Sequence, residues 1–347
     1  MKHLLKTTCL GALALALSLA GSADAKVYRL QTSQNAGDFT LQYLQKEWVP
    51  RLTAMSEGEI ELELLPIGSV VPQAETLDAV SVGILDGMHE AVSRFTGKDP
   101  AYGMFADMVG AYDNADQGQI MCFNAGGREF LQKLHDQYAN GTVHVVGCGP
   151  YTRESLPSKV PIRGYKDLEG LKIRAPEGLP AELFSRAGAV SVPIPFSEVY
   201  TSLEKGIIDA ADASAYINND STGLHKVAPY PIFPGIHSQA ILHLAFNIDV
   251  WNGFSDAQKA MIETWYAAAL PDLRRHADLL DRELVARDKA GEGDVEEVID
   301  WSQEDRDAFR AIAAEVWKDY AKLSPLAQEA YDVQANFLRQ YGAMKNE

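Results

Sequence analysis

Between Gly170 and Ala213 the chain reads GLKIRAPEGLPAELFSRAGAVSVPIPFSEVYTSLEKGIIDAADA, short apolar runs alternating with short helical patterns. This rhythm predicts strands at 171–174, 190–194 and 207–213, with helices at 180–187 and 197–205 between them. Gly188 and Gly206 stand where a left-handed residue closes each helix, and Ser197 is a suitable N-cap. Strands alternating with helices build a parallel sheet, and ligands bind such sheets in the crevice at the carboxyl ends of the strands. Arg174 falls at one of those ends.

The amino-terminal part repeats the scheme. A strand at 27–32 precedes a helix at 38–55, in which Phe39, Leu41, Leu44, Trp48, Val49 and Leu52 recur at helical spacing. A one-side-exposed strand at 60–65, a helix at 73–82 and a strand at 84–88 follow. Residues 91–110, rich in Gly, Pro and aromatics, read as irregular backbone. Helices are expected over 117–138 with a break at Gly126-Gly127, then an apolar strand at 143–147 that leads to Tyr151, Thr152 and Arg153. There the chain first crosses between lobes, and it crosses again between Pro234 and Asn247; two crossings make a hinge suited to clamshell closure. Helices at 255–270, 272–289, 302–322 and 324–341 complete the chain, with starts at Ser302 and at Ser324-Pro325. These helices wrap the lobes or pair two subunits.

The expected class is therefore α/β: two lobes with hinge crossings and a helical carboxyl-terminal region. Lobe I takes 26–146 with part of 237–270, lobe II takes 147–236, and the tail takes 255–347. Residues 1–25 read as a signal peptide, with Lys2 and Lys6, an apolar run, and an Ala23-Asp24-Ala25 cleavage site. Without that segment, which holds two lysines and one aspartate, the formal charge moves from −17 to −18. Such a chain repels nucleic acid and anionic lipid, so an anionic ligand needs locally concentrated cations. Cys122 and Cys148 form one disulfide or remain two buried thiols; both readings fit an exported chain.

Catalytic patterns are lacking. His89-Glu90-Ala91-Val92-Ser93 has Ser93 where a zinc motif needs its second histidine. No G-x-S-x-G elbow occurs, and Gly147-Cys148-Gly149 runs into Pro150 instead of a dinucleotide-binding helix. A thiol hydrolase acting through Cys148 is the remote enzymatic alternative.

GLKIRAPEG followed by VPIPFSEVYTSLEKGIIDAAD resembles the signature of the extracytoplasmic solute receptors of TRAP (tripartite ATP-independent periplasmic) transporters. The likeness continues in ETLDAVSVGILDGMHEA, in FTGKDPAYGMFADM and in HKVAPYPIFPGIHSQAILHLAFNIDVWNGFS. It implies a two-lobe periplasmic binding protein fold, a periplasmic location, a small organic acid ligand and a membrane permease as partner, with no enzymatic role. A receptor that feeds a sensor is the rival role. The nearest branch binds 2-oxo or 2-hydroxy monocarboxylates, some members through a bridging Na+ or Ca2+, and its tail helices imply a homodimer. By this resemblance Arg174 receives the ligand carboxylate, as a rigid guanidinium fork can. Arg94 and Arg153 hold similar pocket positions. Phe95, Asp212, Tyr216, Asn218 and His237 complete the candidate ligand contacts, with Asp212 as the metal ligand. This chain departs from the branch at Ala213, where that branch has tryptophan, and at Ile236-His237-Ser238-Gln239, where it has an acid. A dicarboxylate or larger acid is thus an alternative ligand.

Overall fold

The computed structural model describes residues 26–236 and 240–344. The signal-peptide reading of 1–25 and the ligand role expected for His237 lie outside the described residues.

Strand β1 (Lys26–Thr32) leads to α1 (Phe39–Tyr43), a π-helical turn (Leu44–Trp48) and α2 (Val49–Met55). The expected 38–55 helix is thus present, started by Asp38, whose carboxylate accepts from the Thr40 N–H at 2.8 Å. Its π turn stands just before Pro50, which has no N–H to give a regular ladder. β2 (Ile60–Leu65) alternates buried and exposed side chains as expected and pairs in parallel with β1.

The next strand is displaced from its expected place. After α3 (Thr76–Ser81), β3 spans Gly87–Ala91 rather than 84–88. It is buried throughout, so no alternation marks its ends, and only glycine fits at its start: a Cβ on Gly87 would lie 2.6 Å from the Ala245 carbonyl. Residues 91–110, expected to be irregular, hold a 3-10 turn (Val92–Phe95) and α4 (Pro100–Ala106). Asp99 caps α4 by accepting from the Ala101 N–H at 2.7 Å, and Pro100 occupies the first turn, where its missing N–H does no harm.

Helices α5 (Ala115–Asn124) and α6 (Gly127–Ala139) follow, divided at Gly126 with φ 87°. β4 (Val143–Pro150) continues beyond the expected end at 147, and a disulfide ties Cys148 on it to Cys122 on α5. That pairing settles the open cysteine question and leaves no free thiol at Cys148 for the hydrolase alternative.

Lobe II matches its expected rhythm: β5 (Lys172–Arg174), α7 (Leu179–Arg186), β6 (Val190–Ser191), α8 (Val199–Glu204) and β7 (Ala210–Ala211) form a parallel sheet in the order β6-β5-β7. Gly188 and Gly206 have φ 97° and 69°. Ser197 is not a cap; it lies inside a 3-10 turn (Phe196–Glu198) that leads into α8 without any side-chain cap. After α9 (Tyr216–Ser221) and α10 (Leu224–Val227) the chain returns as β8 (Ile241–Asn247), completing the larger sheet in the order β2-β1-β3-β8-β4. The two crossing segments meet where the Tyr151 N–H donates to the Ala240 carbonyl at 2.7 Å.

Following α11 (Ile248–Gly253), one helix, α12 (Asp256–Lys289), runs 34 residues through Pro271, where two helices were expected. A proline forfeits one ladder hydrogen bond, but packing on both sides holds the helix together. Leu270 and Leu273 are buried, and Asp272 accepts from Tyr43 Oη at 2.8 Å and Trp48 Nε1 at 3.0 Å. α13 (Gln303–Ala321) and α14 (Pro325–Tyr341) start at Ser302 and Ser324 as expected. They wrap the chain's own lobes: one continuous apolar core joins Phe105 and Leu134 to Phe184 of α7 through Phe309, Val316 and Leu338.

Candidate functional site

Arg174 ends β5 and is only 1% exposed. Its flanking strand β7 is two alanines, small enough to leave room for a long side chain, and the Asp212 N–H braces the Arg174 carbonyl at 2.7 Å. Nε donates to the Ile194 carbonyl at 3.2 Å and Nη1 to the Asp212 carbonyl at 2.5 Å. The guanidinium carbon lies 5.5 Å from the centre of the Phe196 ring. Two of five N–H donors are thus held by the protein, and the side chain borders a cavity of about 280 Å³. Gln73, Ser93, Arg94, Glu177, Ile194 and Pro195 are among the other residues lining it.

Arg94 comes to this cavity from the 3-10 turn after β3, half-buried, with its Nε lacking a hydrogen-bond partner. Burial and then the charge of Arg94 hold the Arg174 pKa down to about 10, against the opposing charges of Asp212, Glu154 and Glu177. Burial also lowers Arg94, opposed first by Glu90. Arg174 therefore stays protonated at neutral pH, and the cavity holds two guanidinium groups with carboxylates around them. Glu90, pushed up to about 8 by burial, accepts from Gln73 Nε2 at 3.1 Å.

Of the other expected contacts, Asp212 is fully buried beside the guanidinium and supplies its carbonyl. Arg153 turns outward, away from Arg174, and lines two different cavities. Phe95 points into the core, edge-on to the rings of Tyr102, His135 and His243. Tyr216 is buried with its hydroxyl donating to Asp288 Oδ2 at 2.6 Å. Asn218 Nδ2 donates to Ser214 Oγ at 2.8 Å and Thr40 Oγ1 at 3.1 Å, in a buried network with Tyr151 that joins the first helix to the second lobe. None of Arg153, Phe95, Tyr216 and Asn218 lines the Arg174 cavity. Tyr216 and Asn218 are turned inward on α9, Phe95 ends the 3-10 turn after β3, and Arg153 follows the end of β4.

Sequence reasoning missed Gln73, Glu90 and Ser93. Their signal was position, at the carboxyl end of β3 and at the start of the facing helical turn, but the displaced strand hid it. Behind Glu90 runs a chain of buried rings. The Glu90 carbonyl must accept, so His243 Nδ1 carries the proton at 2.8 Å. His243 Nε2 then accepts from His135 Nε2 at 3.0 Å, and His135 Nδ1 accepts from Tyr102 Oη at 3.3 Å. Burial holds His243 down to about 3 and His89 to about 4. His89 sits on a strand, which no helical zinc motif allows.

Hard oxygen donors of the kind Na+ and Ca2+ take are present in Asp212, Glu154 and Glu177, all within electrostatic reach of Arg174. Among the described residues the group of three whose ligand atoms converge closely lies elsewhere, at Asp220, His225 and Asp288. There Arg287 Nη2, 2.7 Å from each of Asp220 Oδ1 and Asp288 Oδ1, already supplies the positive charge.

Two sheets joined by paired crossings, with a buried guanidinium at a strand end, define a solute-binding protein of the two-domain periplasmic type. The chain belongs to the bacterial extracellular solute-binding proteins of family 7 (DctP), whose profile matches residues 31–323. A TRAP periplasmic solute-binding protein from Rhodobacter sphaeroides, solved in an apo open form, is 36% identical with TM-score 0.72, covering 92% of this chain and all of that one. A TRAP solute-binding protein from Bordetella bronchiseptica, a mixed-occupancy dimer with calcium and picolinate in one site, is 24% identical with TM-score 0.78 over 92% of this chain and 93% of that one. A monocarboxylate 2-oxoacid-binding periplasmic protein from Nostoc sp. strain PCC 7120 is 28% identical over 293 residues, 84% of this chain and 78% of that one. No helix among the described residues is long and apolar enough to cross a membrane.

Proposed function

We propose that this chain is a periplasmic receptor, not an enzyme, that closes its two lobes on a small carboxylate and delivers it to a TRAP permease. The carrying observation is Arg174, buried at the end of β5 with N–H groups at a cavity. A 2-oxo or 2-hydroxy monocarboxylate sets its carboxylate against that fork, and Arg94 takes the second oxygen function. The same Arg94 favours a second reading, an acid with two anionic groups, since two guanidinium groups face one cavity. Asp212 would hold a bridging Na+ or Ca2+, which would neutralise charge between ligand and protein. Dimerisation through α13, α14 and the turn between them, where Tyr341 and Leu323 are exposed, is part of the proposal; light scattering that finds only monomer at micromolar concentration rejects it.

Calorimetry with pyruvate, lactate and C4 dicarboxylates, with and without chelator, tests the assignment. Arg174→Ala removes a charge-assisted bidentate contact and should weaken binding by roughly a hundredfold or more. Undiminished affinity in that variant sinks the role of Arg174. Co-purification with a sensor ectodomain in place of a permease would reassign the partner.

A further inference from the structure

A second concave site lies where the crossings meet the tail. Its cavity, about 250 Å³, is bounded by Arg153 from the first crossing and by Pro234, Gly235 and Ile236 from the second. The loop after α4 and the side chains of Arg306 and Arg310 on α13 complete it. Arg306 is held in place: its Nη1 donates to the Gly235 carbonyl at 3.0 Å, and its Nη2 to the Pro234 carbonyl at 3.0 Å and Asp300 Oδ1 at 2.8 Å. Arg153 and Arg310 are exposed, and neither makes an ion pair among the described residues. Asp107 is the one carboxylate lining the cavity, and it has contacts of its own.

Burial lowers the proton affinity of Arg153, and so do the charges of Arg306, Arg310 and Arg282, with only Asp278 opposing among its main neighbours. Gathering like charges in a concavity is unfavourable for the fold by itself, and it is conspicuous on a chain of formal charge −17. Scattered solvated arginines would be screened by salt and would not converge. Arg306 is committed, with its Nε also donating to the Trp301 carbonyl at 3.3 Å, so Arg153 and Arg310, one from each of two elements, are the groups that offer parallel N–H pairs to an oxyanion, and Arg306 backs them.

We infer that Arg153, Arg306 and Arg310 form a second anion site, separate from the Arg174 cavity, that takes a small oxyanion carrying two negative charges. The anion links the first crossing to α13, and α13 packs against α7 of the second lobe.

Inorganic phosphate is the probe, titrated into the chain from residue 26 onward at constant ionic strength and followed by calorimetry and phosphorus NMR linewidth. One equivalent should bind saturably with a dissociation constant of about 1 mM or below. Arg153→Gln combined with Arg310→Gln should weaken it at least roughly tenfold while circular dichroism stays unchanged. Arg174→Ala should leave it within about twofold. Absence of saturable binding overturns the inference. So does binding that Arg174→Ala abolishes and the Arg153→Gln/Arg310→Gln variant retains, which would put the anion in the first cavity. Because the Arg174 arm is read separately, failure here leaves the receptor assignment standing.

Discussion

Asp281 gives a pH signature that one substitution should erase. It sits on α12, 3% exposed, and its Oδ1 accepts from the Ile217 N–H at 2.7 Å, fastening the spine helix to the first turn of α9. Burial pushes its carboxyl up to about 7 from an ordinary 3.8, more than the Ile217 hydrogen bond pulls it down. The folded chain therefore binds this proton more tightly than the unfolded chain. The resulting stabilisation is fully present below pH 3.8 and is lost as pH rises through about 7. Each unit of pH in that window is worth about 1.4 kcal/mol, so between pH 4.5 and pH 8 the wild type loses about 3 kcal/mol through this group alone. Asp281→Asn keeps an oxygen to accept from Ile217 but has no proton to lose. Urea unfolding of both proteins at pH 4.5, 6 and 8, followed by fluorescence and circular dichroism together, isolates the effect, since every other titrating group cancels in the difference. The stability of Asp281→Asn relative to wild type should rise by about 3 kcal/mol from pH 4.5 to pH 8. A difference that does not change with pH refutes the reasoning.

The buried histidines carry the opposite sign. His243, depressed to about 3, contributes stability that is present above pH 6.5 and is lost as pH falls, so His243→Leu should flatten the acid limb of the stability profile by about 1.4 kcal/mol per pH unit. At neutral pH the same change should cost about 2 kcal/mol, by leaving His135 Nε2 without a partner and taking the ring donor from the Glu90 carbonyl; an unchanged urea midpoint at pH 7 would argue against the ring chain. The Cys122–Cys148 bond closes a separation of 26 residues, for which chain entropy gives about 3.5 kcal/mol. The double alanine variant should lose that much in denaturant titration, and wild type should resist reductant until it unfolds. A Cβ on Gly103 would lie 3.0 Å from Gly178 Cα and 2.7 Å from Tyr320 Oη, so Gly103→Ala should lower stability by about 1 to 3 kcal/mol, read as a lower Tm.

What the sequence disclosed follows from how local each signal is. The alternation from 171 to 213 was legible because Gly188 and Gly206 end helices whatever surrounds them, and Arg174 at a strand end followed directly. Arg94 facing the same cavity was legible through the resemblance alone, since its own surroundings show only an arginine in a loop. Its direction depends on a 3-10 turn and on the helix that Asp99 caps behind it. At the first crossing the resemblance put Arg153 at the pocket, yet Arg153 faces outward while Glu154, the next residue, acts on Arg174; an extended segment buried on most positions gives no pattern that tells the two apart. Pro271 looked like a helix end because the sequence shows the lost hydrogen bond and not the residues that hold both halves. Phe95 and Asn218 have side chains fit for a pocket, but they are turned to partners far along the chain as well as near, Phe95 to the ring of His243 and Asn218 to Thr40 and Ser214.

The long helix through Pro271 also limits how the molecule can move. Thirty-four residues at 1.5 Å each make a rod of about 51 Å. Its first half carries Trp265, Tyr266 and Leu270 into the core of the larger sheet, and its second half carries Asp281 and Asp288 to α9. Two bodies bolted to one rod have few independent rotations left. The rod yields most readily where its ladder lacks a bond, at Pro271, so opening and closing resemble the bending of a single leaf spring more than the swing of two free gates.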